Sequence, residues 1–251
     1  MGDMIAIAGK GGVGKSTFAA LLIRSLLKKG GPVLAVDADP NSNLPAMLGM
    51  KAETTIGSIL EEFQSEKLKI PAGMTKQSWL ETRLNRAIIE SRGLDLVVMG
   101  RPEGQGCYCA ANTLLRDFLD RLRPNYQWIV ADNEAGMEHL SRRTVGAIDR
   151  LVMISDATVK GLRTAANLLA LILELKLAVK DKYLVVNCAN GLEPRLLEMI
   201  ANLGINFLGT IPQDKNIIAY DLEEKSLLGL PDDSAAIKAS ESIVENLANK
   251  V

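Results

Sequence analysis

The chain is poor in the residues that usually build metal and base-stacking sites. It has one histidine, His139, in 251 residues, so a single chain cannot form a His-rich metal site. Its three cysteines, Cys107, Cys109 and Cys188, are too few for a disulfide framework. They also fall one short of a closed four-thiolate site, so a thiolate-rich site needs a second subunit or an outside ligand. Aromatic residues make up only 4%, which argues against a base-stacking nucleic-acid binder. Basic residues number 29 and acidic residues 30, so the net charge of −1 creates no global attraction for nucleic acid. No run approaches the roughly 18 apolar residues of a membrane span. The apolar stretch Met4–Ala8 is far too short for a secretory signal and runs straight into a glycine loop. The expectation is a cytoplasmic protein with neither membrane nor nucleic acid as partner.

What is present is the material of a packed core. Apolar residues make up 47% and charged residues 24%, which excludes a long disordered chain. The length suits one large α/β domain, and residues 1–251 read as a single unit without repeats or linkers. Short apolar runs predict strands at Met4–Ala8, Val33–Val36, Leu94–Met99, Trp128–Ala131, Leu151–Ile154, Tyr183–Asn187 and Asn206–Gly209. Helical patterns lie between them, at Lys15–Lys29, Trp79–Ser91, Thr113–Arg121, Thr158–Val179, Pro194–Asn202 and Asp214–Glu223. Continuous rather than alternating apolar strands suit a parallel sheet covered on both faces. The expected fold is therefore α/β, a doubly wound, mostly parallel sheet. Lys51–Lys76 reads as a surface helix plus loop. Asp232–Val251 reads as a capped packing helix; its four acidic and two basic residues are the wrong balance for a membrane anchor.

One motif carries nucleotide chemistry. Gly9-Lys10-Gly11-Gly12-Val13-Gly14-Lys15-Ser16 matches G-x-x-x-x-G-K-[ST] between an apolar strand and a helical pattern, and Thr17 follows it. Glycines let backbone N–H groups turn inward on phosphate oxygens, and the helix N-terminus adds a favourable dipole. Lys15 is placed to reach the β- and γ-phosphates of ATP, and the Ser16 hydroxyl to bind Mg²⁺. The extra lysine, Lys10, makes GKGGVGKST similar to the deviant Walker A loop of the MinD/ParA-like ATPases, which include the nitrogenase iron protein. The resemblance implies an ATP-bound homodimer in which Lys10 reaches across to the partner's nucleotide. It also implies that Asp39, in Asp37-Ala38-Asp39-Pro40, orients the attacking water, with Asp37 as a structural or magnesium-shell neighbour. Asp132, closing Trp128–Asp132, resembles the Mg²⁺-water aspartate. Asn133, Glu134 and Gly136 then resemble the γ-phosphate-sensing switch. Asn187 and the loop Gly209–Asp214, including Pro212 and Asp214, resemble the adenine side. Asp37 closes a strand expected next to the phosphate loop.

Cys107-Tyr108-Cys109 follows the glycine-rich stretch Gly100–Gly106 and precedes a helical pattern that Asn112 is expected to cap. Two thiolates one residue apart can share one metal ion. Two such pairs across a dimer supply the four sulfurs that one chain lacks, for Zn²⁺ or Fe–S if tetrahedral and Ni²⁺ if planar. GKGGVGKST, DADP, CYC before a Leu-rich helix, and DNEAGMEHLSRR together resemble the CooC-type nickel-insertion ATPases. That resemblance implies Cys107 and Cys109 as the dimer's metal ligands. It implies carbon monoxide dehydrogenase, or the related acetyl-CoA synthase, as the recipient of Ni²⁺, with Zn²⁺ able to occupy the same site. Two other readings use the same loop. One is an Fe–S redox ATPase like the nitrogenase iron protein, whose separated single cysteines differ from Cys-x-Cys. The other is a MinD/ParA-type positioning ATPase, for which Arg142, Arg143 and Arg150 form a candidate basic patch. Cys188 is read as a buried small residue, His139 as structural with Glu138 unassigned, and the nine methionines as core filling.

Overall fold

The computed structural model describes residues 2–65, 70–71, 73–101, 108–134 and 147–248; for residues 108–111 the backbone alone is described. In chain order the elements are β1 (Asp3–Gly9), α1 (Lys15–Lys29), β2 (Val33–Ala38), α2 (Leu44–Leu48), α3 (Ile56–Ser65), α4 (Lys76–Arg86), β3 (Ile89–Ser91) and β4 (Leu94–Val98). They continue with α5 (Tyr108–Leu122), β5 (Trp128–Asn133), β6 (Ile148–Asp156), α6 (Val159–Glu174), β7 (Val179–Asn187), α7 (Pro194–Asn202), β8 (Asn206–Ile211), α8 (Lys215–Leu222) and α9 (Ala235–Ala248).

The strands form one eight-stranded sheet in the order β3-β4-β2-β5-β1-β6-β7-β8. Every neighbouring pair is parallel except β3 with β4. The doubly wound α/β expectation is met. Strand β1 shows why its sequence is an unbroken apolar run. Met4, Ala6 and Ala8 join one core while Ile5 and Ile7 join the other, on the opposite face of the pleat. The first core takes residues from α3, α4, α5, α6 and α7. The second takes Phe18 and Leu22 of α1, Leu44 and Leu48 of α2, and Ile237 and Ile243 of α9. Helix α1 ends where Gly30, at φ 97°, donates its N–H to the Leu26 and Leu27 carbonyls, with Lys28 and Lys29 in the last turn facing the negative end of the dipole. The C-terminal stretch packs as expected: α9 buries Ile237, Ser240, Ile243 and Leu247.

Several expectations need correction. The helix read as Trp79–Ser91 spans Lys76–Arg86, and Ile89–Ser91 forms the antiparallel edge strand β3. Gly93, at φ 77°, supplies the left-handed turn of that hairpin, which helical periodicity does not reveal. The helix read as Thr158–Val179 stops at Glu174, because Val179 already pairs with Ile148 in the sheet. Helix α5 starts at Tyr108, so Asn112 lies inside it and is not its cap. Finally, β2 is not beside β1. Strand β5 is inserted between them, so Asp132 lies nearer the phosphate loop than Asp37 does.

The edge of the sheet opposite the loop is tied by buried arginines. Arg123 donates to the Gly2 carbonyl at 2.8 Å and to the Ala147 carbonyl at 3.1 Å, and pairs with Asp149. Arg150 pairs with Asp3 at 2.8 Å and lies over the Trp128 ring. Arg150 is therefore spent inside the fold and cannot join a surface basic patch; Arg142 and Arg143 lie outside the described residues.

Candidate functional site

The site gathers at the C-terminal ends of β1, β2, β5 and β7. The phosphate loop runs from Gly9 at the end of β1 to Gly14, which takes the left-handed cap position of α1 at φ 88°. A Cβ on Gly14 would lie 2.2 Å from the Asn187 amide nitrogen, so only glycine fits both the backbone and the space. That amide donates to the Val13 carbonyl at 2.9 Å and braces the loop from β7. Lys15 is 7% exposed, whereas Lys10 is exposed. Two lysines five positions apart thus face different surroundings: Lys15 is packed into the cradle and Lys10 projects from it.

Register places the acidic residues. Asp37 and Asp132 are paired across β2 and β5, and Asp132 is also level with Ile7 of β1. Neither carboxylate oxygen of Asp132 has a hydrogen-bond partner in good geometry among the described residues. Burial pushes Asp132 up to about 6, while the nearby Ser16 hydroxyl and Lys15 ammonium pull it back toward the charged form. A buried carboxylate with unspent oxygens beside a hydroxyl suits Mg²⁺, which accepts one or two protein oxygens and keeps several waters.

Asp37 has a different task. It accepts the Asp39 and Leu44 backbone N–H groups, each at 3.0 Å, and so fastens the turn after β2 to the start of α2. Of the two sequence readings of Asp37, the structural one describes these contacts. Burial pushes Asp37 up to about 7, with the Asp132 charge adding to the rise. Its folded value lies above its unfolded one. Its stabilisation is therefore fully present below about pH 4 and lost as pH rises through about 7. Asp37→Asn removes this group's titration. The melting-temperature gap between wild type and Asp37→Asn in nucleotide-free protein is expected to narrow by several degrees from pH 5 to pH 8. A gap that stays constant with pH refutes this assignment.

Asp39 accepts the Asn41 N–H at 2.9 Å and stays at the rim, just beyond β2. Asn133 is buried and donates to the Ile7 carbonyl at 3.0 Å, tying the end of β5 to β1; Glu134 follows it, half-buried. Pro212 lies just beyond β8. Asp214, read as an adenine-side residue, has its carboxylate committed elsewhere. One oxygen accepts the Asn216 N–H at 2.9 Å; the other takes the Ala236 N–H at 3.0 Å and the Ser234 hydroxyl. Burial alone would raise Asp214, but these donors outweigh it and hold it below the ordinary carboxylate value. Asp214 thus caps α8 and α9 together. No local signal reveals this, because Ser234 and Ala236 belong to a different helix start.

Cys188 corrects another expectation. It is exposed, at φ 55° in the turn just after β7, so its side chain leaves the core. A cavity of about 440 Å³ opens beside the phosphate loop, lined by Lys10, Gly11, Ser155, Asp156, Thr164 and Asn167 among others. It flanks the loop and is not lined by Lys15, Ser16 or Asp132. Cys107, Gly136, Glu138, His139 and the side chain of Cys109 lie outside the described residues. Among the described residues, no group of three or more His, Cys, Asp or Glu side chains could hold a metal, and no helix is long and apolar enough to cross a membrane.

The geometry agrees with what the chain is similar to. The CobQ/CobB/MinD/ParA nucleotide-binding-domain profile matches residues 4–227. An uncharacterized ATP-binding protein of Methanocaldococcus jannaschii is 46% identical over 98% of this chain and 99% of its own length. The carbon monoxide dehydrogenase accessory protein CooC of Rhodospirillum rubrum is 32% identical, with 86% of each chain covered. The cell-division ATPase MinD of Pyrococcus furiosus superposes with a TM-score of 0.73 at 20% identity, covering 100% of both chains, and supports the fold. The chain belongs to the CobQ/CobB/MinD/ParA nucleotide-binding family and is a P-loop ATPase.

Proposed function

We propose that this ATPase is a nickel metallochaperone that works as a homodimer. The observation that carries the reading is the sequence motif Cys107-Tyr108-Cys109, whose last two residues open α5, in a chain whose phosphate loop projects a second lysine, Lys10. Similarity to CooC along most of the chain supports the same reading and points to carbon monoxide dehydrogenase, or the related acetyl-CoA synthase, as recipient.

The chain's own residues divide the work. Backbone N–H groups of Gly9–Ser16 hold the phosphates, with Lys15 on the β- and γ-phosphates. Ser16 and Asp132 would hold Mg²⁺, which would supply positive charge to offset that of the phosphates. Asp39 orients the attacking water, and Lys10 enters the partner's site as a trans cation. Asn133, Glu134 and Gly136 respond to the γ-phosphate. Thr17, Asn187 and Pro212 line the nucleotide, while Asp214 supports this side by fixing two helix starts. ATP favours the closed dimer, in which two Cys-x-Cys pairs face one metal ion; hydrolysis opens it and releases Ni²⁺ as cargo.

Metal analysis of purified dimer tests this. About one Ni²⁺ or Zn²⁺ per two chains is expected for wild type, and a loss of at least about 100-fold in affinity for Cys107→Ser/Cys109→Ser. Undiminished binding by the double variant sinks the site assignment. Iron with acid-labile sulfide in anaerobically prepared protein would instead favour the redox reading.

A further inference from the structure

We propose that Asn187 is a positioning residue of the phosphate site: by holding the Val13–Gly14 peptide it turns the Gly14 N–H toward the phosphates before any nucleotide arrives. The proposal rests on the phosphate loop and not on the nickel reading, and it deepens the assignment of Asn187 to the lining of the nucleotide.

Asn187 is the last residue of β7, where Asp156 of β6 and Ile211 of β8 flank it in register. Its backbone is thus fixed from both sides, and the residue is buried. From this rigid base its amide nitrogen donates to the Val13 carbonyl at 2.9 Å, joining residues 174 positions apart. The Val13–Gly14 peptide is trans and planar, so its C=O and N–H point in opposite directions. Fixing the carbonyl on Asn187 therefore aims the Gly14 N–H away from β7, toward the side on which the loop takes up phosphate. The reverse orientation would set the negative end of a carbonyl dipole against the phosphates, where an anion-binding loop needs N–H groups. Gly14 cannot make this choice itself. It sits at φ 88°, and the close approach of Asn187 leaves no room for a Cβ. Only glycine fits there, and glycine is the residue with the least conformational preference of its own. The hydrogen bond from Asn187 selects one orientation and so prepares the cradle. It also links the base side of the nucleotide, at the end of β7, to the phosphate side.

The test compares Mg²⁺-tripolyphosphate, which carries phosphates but no base, with Mg²⁺-ATP. Both are read on the full chain by displacement of a fluorescent ATP analogue, well below the melting temperature. Asn187→Ala removes the donor. Its expected result is about a 10-fold loss of tripolyphosphate affinity, and at least as large a loss for ATP. Asn187→Asp keeps the shape but sets an acceptor against the Val13 carbonyl, and is expected to lose more than Asn187→Ala. If Asn187→Ala does not fold, Asn187→Ser reads the loss of the amide. Tripolyphosphate separates this role from two others. A residue that touches only the base changes ATP affinity and leaves tripolyphosphate unchanged, which overturns the proposal while the lining assignment stands. A merely structural residue lowers the melting temperature and leaves both affinities at wild-type values, which overturns the proposal and the lining assignment together. Wild-type protein that does not bind tripolyphosphate even at millimolar concentration also overturns the proposal, because a cradle prepared by Asn187 needs no base to accept phosphates.

Discussion

Lys10→Ala should bind ATP about as tightly as wild type and hydrolyse it about 10³-fold more slowly or worse, a loss of about 4 kcal/mol in the transition state. Lys15→Ala, in contrast, should lose binding as well. The difference follows from placement. Lys15 is buried at the first position of α1, among the loop's backbone N–H groups, where any bound nucleotide meets it. Lys10 is exposed and lines the open cavity beside the loop, so within one chain it has little to do for ground-state binding. Its role becomes large only if a second chain brings its nucleotide to it, as charge develops on the transferred phosphoryl group. Single-turnover hydrolysis with a separate measurement of nucleotide affinity separates the two lysines. The reading also requires hydrolysis to appear when Lys10→Ala and Lys15→Ala chains, each defective alone, are mixed, since one site of the mixed dimer then combines Lys15 of one chain with Lys10 of the other, which a lysine acting within its own chain cannot do. Wild-type turnover in Lys10→Ala, or no rescue on mixing, removes the trans role.

The largest expected loss of stability lies far from the nucleotide. Arg123→Ala should cost about 3 kcal/mol, because removing a buried guanidinium takes the donor from two carbonyls and the counter-charge from a half-buried carboxylate. For a chain of this size that corresponds to a fall of roughly 6–12 °C in melting temperature. Arg123 meets three acceptors on two other segments: the Gly2 carbonyl just before β1, and, at the start of β6, the Ala147 carbonyl and the Asp149 carboxylate. Asp149 in turn accepts the Met4 N–H at 2.8 Å, so the same cluster ties β1 to β6. Asp149 is one-third exposed, which screens the charge pair and keeps the estimate at the lower end for buried pairs. Arg123→Lys should recover only part of the loss, since an ammonium cannot reproduce the fork that meets three acceptors. A melting temperature within about 2 °C of wild type for Arg123→Ala contradicts this account.

The division between the local and the long-range explains what could be read early. The phosphate loop was legible because its function is encoded in consecutive residues. Glycines at positive φ, a lysine and a hydroxyl at fixed offsets, and a flanking strand and helix need no distant partner to be recognised. The buried strands were legible for a similar reason: Met4–Ala8 and Trp128–Ala131 are apolar on both faces of their pleat. Asp132 could be placed because it closes such a strand. Helix and strand limits were less clear wherever a turn decided them, as at Gly93 and Glu174.

Amino-acid order by itself determined the class of fold, the nucleotide-binding loop and the small number of histidines and cysteines in one chain. Tertiary structure alone decided which groups meet. It inserted β5 between β1 and β2, setting Asp132 level with β1 and turning Asp37 into a brace for α2. It committed Asp214 to two helix starts, exposed Cys188 and buried Arg150 against Asp3. The physical reason is the same in each case. Backbone conformation and apolar burial respond to near neighbours in the chain. A hydrogen bond or ion pair depends on which distant segment is brought alongside, and only the packed sheet and its helices determine that.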